Sequence, residues 1–268
     1  MIMNEKDYVL EGASDSVYKS SMDNAKRHDT LCHYTNFKAL KHIFNEKRLK
    51  FNCINNVNDF NEGRYFVNNE IANTVFVSCF SHERYESIPM WFIYGKNKSS
   101  IRIKFEFKKN NIDEIFFDHS KETCNSSGEK IEPYECGGCR NDLSYSTSIH
   151  DVVYNEAKLK QHPIFIDHLN KYNISSMGIV KRKIWDYERE TRFILRIVTV
   201  KNNINLPDIT CFLLPLNFSA IKRVTITFNP WISDYMEKVI RRFFEINKHS
   251  INLPVTFEDS ALKGTIKK

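Results

Sequence analysis

Glycine and proline are scarce in this chain, eight and seven among 268 residues. That scarcity excludes a glycine-rich phosphate loop, a collagen-like repeat and a long disordered linker. No apolar run approaches the roughly 20 residues a helix needs to cross a bilayer. The opening Met1-Ile2-Met3-Asn4-Glu5-Lys6-Asp7 lacks the basic-then-apolar order of a secretory signal. No internal repeat is visible. Cysteines number seven, an odd count, and Cys32, Cys53, Cys79 and Cys211 sit inside apolar runs where a free thiol behaves as a small hydrophobe. A disulfide framework and a membrane partner are therefore not expected, and the composition points to a soluble, cytoplasmic protein. Charge of one sign is not in large excess. A diffuse net +6 suits an anionic substrate or a nucleic-acid partner without requiring either.

What is abundant is apolar and aromatic material: 41% hydrophobic residues, with 20 Phe and 12 Tyr, enough for a real core. Residues 1–28 read as a polar, loose or short-helical lead-in, 29–260 as a single α+β domain and 261–268 as a basic tail. Within the domain, residues 118–150 break the pattern with Ser, Asn, Gly and three cysteines and read as an elaboration outside the core. A first strand at 30–34 leads to a helix that Thr35 or Asn36 can cap, with Phe37, Leu40, Ile43 and Phe44 at helical spacing. A strand at 49–54 precedes the turn-forming Asn55-Asn56-Val57-Asn58-Asp59. A helix over 60–72, a strand over 74–80 and a short helix over 89–95 follow, the last with Pro near its start and Gly after its end. Strands are expected at 101–107, 151–154, 191–200, 210–216, 223–228 and 253–257, and helices at 157–170 and 233–244. Strands outnumber helices and cluster late, which predicts α+β with mainly antiparallel sheet.

The densest chemistry lies in Trp185-Asp186-Tyr187-Glu188-Arg189-Glu190-Thr191-Arg192. An extended conformation would put Glu188, Glu190 and Arg192 on one face, about 6–7 Å apart, and Phe193, Leu195 and Ile197 on the other. Two acids so placed repel unless a cation or hydrogen-bond donor joins them, a part open to Arg192. The plainer alternative is a solvated edge strand of alternating charge.

Three motifs, taken in order, carry a resemblance: Leu31-Cys32-His33-Tyr34-Thr35; Ser78-Cys79-Phe80-Ser81 with Met90-Trp91 and Tyr94 after it; and residues 183–192. Over roughly residues 30–230 the chain resembles the bacterial family called domain of unknown function 2971, with Asn58-Asp59 to Glu62 part of the likeness. The layout is similar, more distantly, to the ADP-ribosyltransferase fold, two crossed small sheets with an NAD cleft between them. That resemblance implies a His-Tyr-Glu type site at His33, Tyr94 or Trp91, and Glu190. Glu188-x-Glu190 resembles the paired-Glu motif of some members, whose second Glu is catalytic, and Ser78 and Ser81 loosely match their serine-containing strand motif. It implies NAD as substrate and a macromolecular acceptor, protein or nucleic acid, in the setting of a toxin or phage-defence effector.

The residue types suit that chemistry. Cleaving the nicotinamide–ribose bond develops positive charge on the sugar, which Glu190 would stabilise. His33, with Tyr34 and Thr35 beside it, would hold a ribose hydroxyl, and an aromatic face at Trp91 or Tyr94 would stack on nicotinamide. Glu188 would take a proton from the acceptor, Arg192 would orient the acids or meet the pyrophosphate, and Lys183 would contact phosphate. Each has a structural counterpart: His33 as a hydrogen-bonded strand residue, Trp91 and Tyr94 as core packing, and Asn58, Asp59 and Glu62 as a cap and turn. Two rivals stand beside the enzyme: a silent nucleotide or nucleic-acid binder of the same fold, and a nuclease holding metal through Asp59, Glu188 and Glu190. Cys136-Gly137-Gly138-Cys139 with Cys124 and His150 is half a zinc motif, and a plain reduced loop is the reading preferred there.

Overall fold

A computed structural model gives the architecture over residues 8–9, 16–59, 62, 72–95, 99–108, 112, 123–125, 130–131, 143–155, 164–166, 171–173, 177–200 and 209–267. Strand β1 (Tyr8–Val9) and helix α1 (Ser16–Ala25) precede β2 (Thr30–Asn36). Asn36 then caps helix α2 (Phe37–Asn45), its side-chain oxygen accepting from the Ala39 amide at 3.0 Å. Leu40, Ile43 and Phe44, at helical spacing, are the buried face of α2. Lys47 turns the chain in a left-handed conformation, φ 51°. Strand β3 (Arg48–Cys53) then alternates, burying Leu49, Phe51 and Cys53 and exposing Lys50 and Asn52.

Strand β4 (Val75–Ser81), helix α3 (Ile88–Tyr94) and strand β5 (Ser100–Phe107) follow. The middle of the chain contributes short strands β6 (Thr123–Asn125) and β7 (Lys130–Ile131), the longer β8 (Leu143–Asp151), then β9 (Val153–Tyr154), β10 (Ile164–Ile166), β11 (Lys171–Asn173) and β12 (Val180–Lys181). The tail holds β13 (Glu190–Val200), β14 (Cys211–Pro215), β15 (Ile221–Phe228), helices α4 (Asp234–Ile246) and α5 (Lys248–Ile251), and β16 (Val255–Glu258).

An eleven-stranded sheet runs β16-β15-β5-β2-β4-β3-β14-β6-β7, with β13 pairing β4 and β8 pairing β13. Its pairs are antiparallel apart from β15 with β16. The α+β, mainly antiparallel expectation is what the fold shows. In place of the two small crossed sheets implied by the resemblance there is one large sheet, whose β2 and β4 share the single pair Cys32–Ser81. Smaller sheets, β1-β11-β10 and β12-β9, lie beside it. The main core packs α2 and α4 on the sheet through aromatic contacts such as Phe44 with Phe244, ring centroids 5.0 Å apart. No helix among the described residues is long and apolar enough to cross a membrane.

The partition of β4 positions everything that follows. One edge of β4 is covered by β13 from Val75 to Ser81. The other edge is shared: β3 pairs with Phe76 and Val77, and β2 pairs with Ser81. β2 then leaves β4 to pair with β5 along its whole length. Among the described residues, Ser78, Cys79 and Phe80 are left on that edge without a strand neighbour.

Several expectations need correction. Residues 143–150 are not an elaboration; they form β8, paired with β13 from Leu143↔Val200 to Asp151↔Thr191. Alternating serines and threonines hid the strand, because small polar side chains carry little of the apolar signal that marks one. The helix expected over 157–170 gives way to strand β10 where it is described, since Pro163 cannot donate within a helix and Ile164-Phe165-Ile166 favours extended backbone. The helix expected over 60–72 lies outside the described residues except at Glu62 and Ala72. The short-helical reading of the lead-in agrees with helix α1, whose last residue, Ala25, is fully buried in the main core.

Candidate functional site

A cavity of about 370 Å³ occupies the gap along the edge of β4. Ser78, Cys79 and Phe80 line it, with His33, Tyr34 and Thr35 of β2, Arg48, Leu49, Lys50 and Asn52 of β3, and Ala39, His42 and Ile43 of α2. Tyr94, Glu188 and Glu190 reach the same cavity. His33 bridges the gap, its Nδ1 lying 2.9 Å from the Cys79 carbonyl oxygen. A carbonyl only accepts, so Nδ1 carries the proton and Nε2 is left as an acceptor. Burial lowers the pKa of His33, which keeps the ring neutral. Ser78 Oγ is buried here with no protein hydrogen-bond partner among the described residues.

The acids arrive by a different route from the one expected. Residues Lys183–Glu188 form a 3-10 helix, Arg189 takes a left-handed φ of 44°, and the strand begins only at Glu190. Glu188 is therefore not a strand neighbour of Glu190. The extended reading holds from Glu190 on: Glu190 and Arg192 share a face, while Phe193, Leu195 and Ile197 join the main core.

What joins the acids is Lys181, a residue not singled out from sequence. Its Nζ donates to Glu188 Oε2, lies 3.2 Å from Glu190 Oε2 and 3.4 Å from Glu62 Oε1, and is 2% exposed. Arg192, fully buried, adds the second cation: Nη2 donates to Glu190 Oε2 and Glu62 Oε1, each at 2.9 Å, and Nη1 donates to Glu62 Oε2 and to the Gly178 carbonyl. Three carboxylates thus share two cations in a buried, low-dielectric cluster at the cavity wall, where charges survive only when paired. Tyr94 donates its hydroxyl to Glu188 Oε1 at 2.8 Å, and Tyr154 accepts from the Glu190 amide at 2.9 Å.

These contacts drive the two acids apart. Burial raises the Glu188 carboxyl, and the charge of Glu190 adds to the rise. Burial acts the same way on Glu190, but Arg192 and Lys181 overcome it and hold that carboxyl well below the usual carboxylate range. Burial opposes the charge on Lys181, yet Glu190, Glu62 and Glu188 together keep it protonated. Burial and the Glu188 charge hold the Tyr94 phenol protonated as a donor.

Of the residues singled out from sequence, His33, Tyr34, Thr35, Tyr94, Glu188 and Glu190 meet at the cavity. Trp91, Lys183 and Arg192 do not. Trp91 is fully buried, its ring edge-on to Tyr34 at 4.9 Å and its Nε1 donating to Glu86 at 2.8 Å, so it cannot stack on a ligand. Lys183 is exposed on the 3-10 helix away from the lining. Arg192 is fully buried and outside the lining, its Nη1 and Nη2 donating to Glu62, Glu190 and the Gly178 carbonyl. Glu62, read as part of a turn, is 2% exposed and ion-paired. The signal for Lys181 was its place in a basic run, Lys181-Arg182-Lys183, just ahead of the acids, but such runs usually solvate a surface.

Among the described residues Asp59, Glu188 and Glu190 are not brought together as a ligand set. Asp59 turns instead to Arg182, its Oδ2 and Oδ1 accepting at 3.0 and 2.7 Å, and Glu188 and Glu190 turn to Lys181. Of the proposed zinc ligands, Cys136 and Cys139 lie outside the described residues. His150 is fully buried with Nδ1 2.8 Å from Ser21 Oγ. Cys32, Cys53, Cys79 and Cys211 are free thiols. Among known proteins, no family model, no curated protein and no solved structure matches the chain.

Proposed function

We propose that the protein cleaves the bond between nicotinamide and ribose in NAD, then transfers the ADP-ribose to a protein or nucleic-acid acceptor or to water. The observation that carries this reading is the meeting of His33, Tyr94 and Glu190, drawn from three remote segments, at one cavity. Its volume lies at the small end of the roughly 300–1,000 Å³ typical of ligand sites, a size for the nicotinamide riboside half of the dinucleotide. In this reading the two halves of the sheet stand for the two crossed sheets of an ADP-ribosyltransferase-like fold, the more distant of the two resemblances. A cytoplasmic toxin or phage-defence effector is the role that follows.

The division of labour follows from the opposed pKa displacements, the pattern that separates a standing anion from a proton carrier. Glu190, ionised at neutral pH, stabilises the positive charge that develops on the sugar as the C–N bond breaks and nicotinamide departs with the electron pair. Glu188, the more basic acid, takes the proton of the incoming hydroxyl or water. His33 Nε2 accepts from a ribose hydroxyl, and Tyr94 both lines the pocket and fixes Glu188.

A second reading is favoured by one contact set: Glu190 Oε2 is taken by both Lys181 and Arg192, as in a site that binds a nucleotide without cleaving it. Incubation with NAD separates the two. The enzyme releases nicotinamide, and Glu190→Gln lowers that rate by about 10²–10³-fold, the usual loss for one transition-state electrostatic contact. NAD binding without nicotinamide release would establish the silent binder instead.

A further inference from the structure

We propose a divalent transition-metal site formed by His28, His82 and Asp151, apart from the cavity and independent of the NAD reading. The three come from separate segments: His28 from the turn after α1, His82 from the residue following β4, and Asp151 from the end of β8. β13 brings them together, because Thr191 pairs with Phe80 on one side and with Asp151 on the other. Thr191 projects from the face of β13 opposite Glu190.

The geometry is close to that of a ligand set. His28 Nε2 lies 3.0 and 2.9 Å from the two Asp151 oxygens, and His82 Nδ1 lies 3.6 Å from Asp151 Oδ1. One ligand atom from each residue falls within 4.8 Å of the others. An ion bound to nitrogen and oxygen at about 2.0–2.2 Å sets adjacent ligand atoms about 3.0–3.5 Å apart, so side-chain rotation must draw the more widely spaced atoms together as the ion binds. The imidazoles are stacked, centroids 4.6 Å apart and planes 11° from parallel, and His82 Nδ1, which lies 3.0 Å from Thr191 Oγ1, exchanges that contact for the ion on binding. Thr191 Oγ1 donates to Asp151 Oδ1 at 2.6 Å, the kind of outer contact that orients a ligating carboxylate. No Lys or Arg among the described residues forms an ion pair with Asp151; its ionic partners are the two histidines.

Two nitrogens and one carboxylate suit zinc or its first-row neighbours and not calcium or magnesium, which favour oxygen. The side chains are 15–25% exposed, so solvent can reach the ion and fill its remaining positions. Bound there, the ion would tie the end of α1 to the ends of β4 and β8.

Cobalt(II) titration of the full chain tests the site, with absorbance spectra and thermal unfolding as readouts. The expected result is one ion per chain giving visible d–d bands without a thiolate-to-cobalt band, and a raised melting temperature. His28→Ala and His82→Ala, each checked for native circular dichroism, should weaken that binding at least about tenfold, since even outer-shell changes cost 10–100-fold. Two results would overturn the site: no binding of this spectral type, or a folded variant that binds cobalt as tightly as the parent. The first would leave a plain histidine–aspartate hydrogen-bond cluster, and a thiolate band alone would place the ion among the cysteines.

Discussion

The Nδ1–H of His33 donates to the main-chain carbonyl of Cys79 at 2.9 Å, spanning the gap where β2 and β4 part. The side chain supplies a hydrogen bond that a neighbouring strand would otherwise provide. His33→Ala removes that donor from a carbonyl facing the gap and removes Nε2 from the cavity. Stability should fall by about 1–3 kcal/mol, the range for a buried polar group left unpaired, measured by urea unfolding. Nicotinamide release, if the proposed activity holds, should fall roughly tenfold, the equivalent of one neutral hydrogen bond.

Lys181 governs the stability of the acid cluster. It is within 3.4 Å of Glu62, Glu188 and Glu190, so Lys181→Met leaves Glu62 and Glu190 to Arg192 alone and Glu188 with the Tyr94 hydroxyl but no paired cation. The expected loss is about 3–5 kcal/mol, because breaking a buried ion pair strands its partner's charge. Adding Glu188→Gln should restore part of it by removing one of the stranded charges. Urea titration of the single and double variants measures the coupling, and simple additivity would show that the two side chains do not interact.

Regular apolar spacing makes some elements legible in the sequence itself. The Asn36 cap with Leu40, Ile43 and Phe44, and the alternation of Leu49, Phe51 and Cys53, are set by local periodicity and so fix α2 and β3 directly. β8 is not legible in this way, since Ser144, Ser146 and Ser148 offer no hydrophobic contrast. Glu188 is misplaced by pattern because Glu-x-Glu-x-Arg fits a strand by period alone, and nothing local announces the left-handed Arg189 that ends the 3-10 helix. That His33, Tyr94 and Glu190 meet at one cavity is not set by local pattern, since they come from three separate segments. Lys181 and Glu62 escape because burial of a charge depends on which partners arrive from elsewhere, information a single segment does not carry.

The opposed acids give a pH signature. Glu190 is held below its ordinary value of 4.5, so its ion pairs contribute stability that is complete above that value and lost as pH falls further. Glu188 is raised above 4.5; the folded state binds its proton first, so Glu188 contributes stability that grows as pH falls toward 4.5. The two contributions oppose each other on the neutral side, and only the Glu190 loss acts on the acid side. Relative to the parent, Glu188→Gln should gain stability at pH 7 and lose that advantage toward pH 4.5. Glu190→Gln should lose stability at pH 7 and show a shallower decline below pH 4.5. Urea midpoints across that range for the three proteins test both signs, and parallel curves would mean that neither acid is shifted.

Gly95 closes α3 against Trp91 and so sets where Tyr94 points. Its amide donates to the Trp91 carbonyl at 2.8 Å. A Cβ at this position would overlap that carbonyl oxygen and lie 2.9 Å from Trp91 Cε3 and 3.0 Å from Asn229 Nδ2. The φ of −95° suits any residue, so the penalty of Gly95→Ala is steric and not conformational. Neither the carbonyl, fixed in the helix, nor the fully buried indole can yield without moving α3. Overpacking of this kind costs about 1–3 kcal/mol, and it should displace the last turn that holds the Tyr94 hydroxyl on Glu188. The near-ultraviolet circular dichroism should change together with the urea midpoint. A variant unchanged in both would show that α3 ends elsewhere and that Tyr94 is not held by this contact.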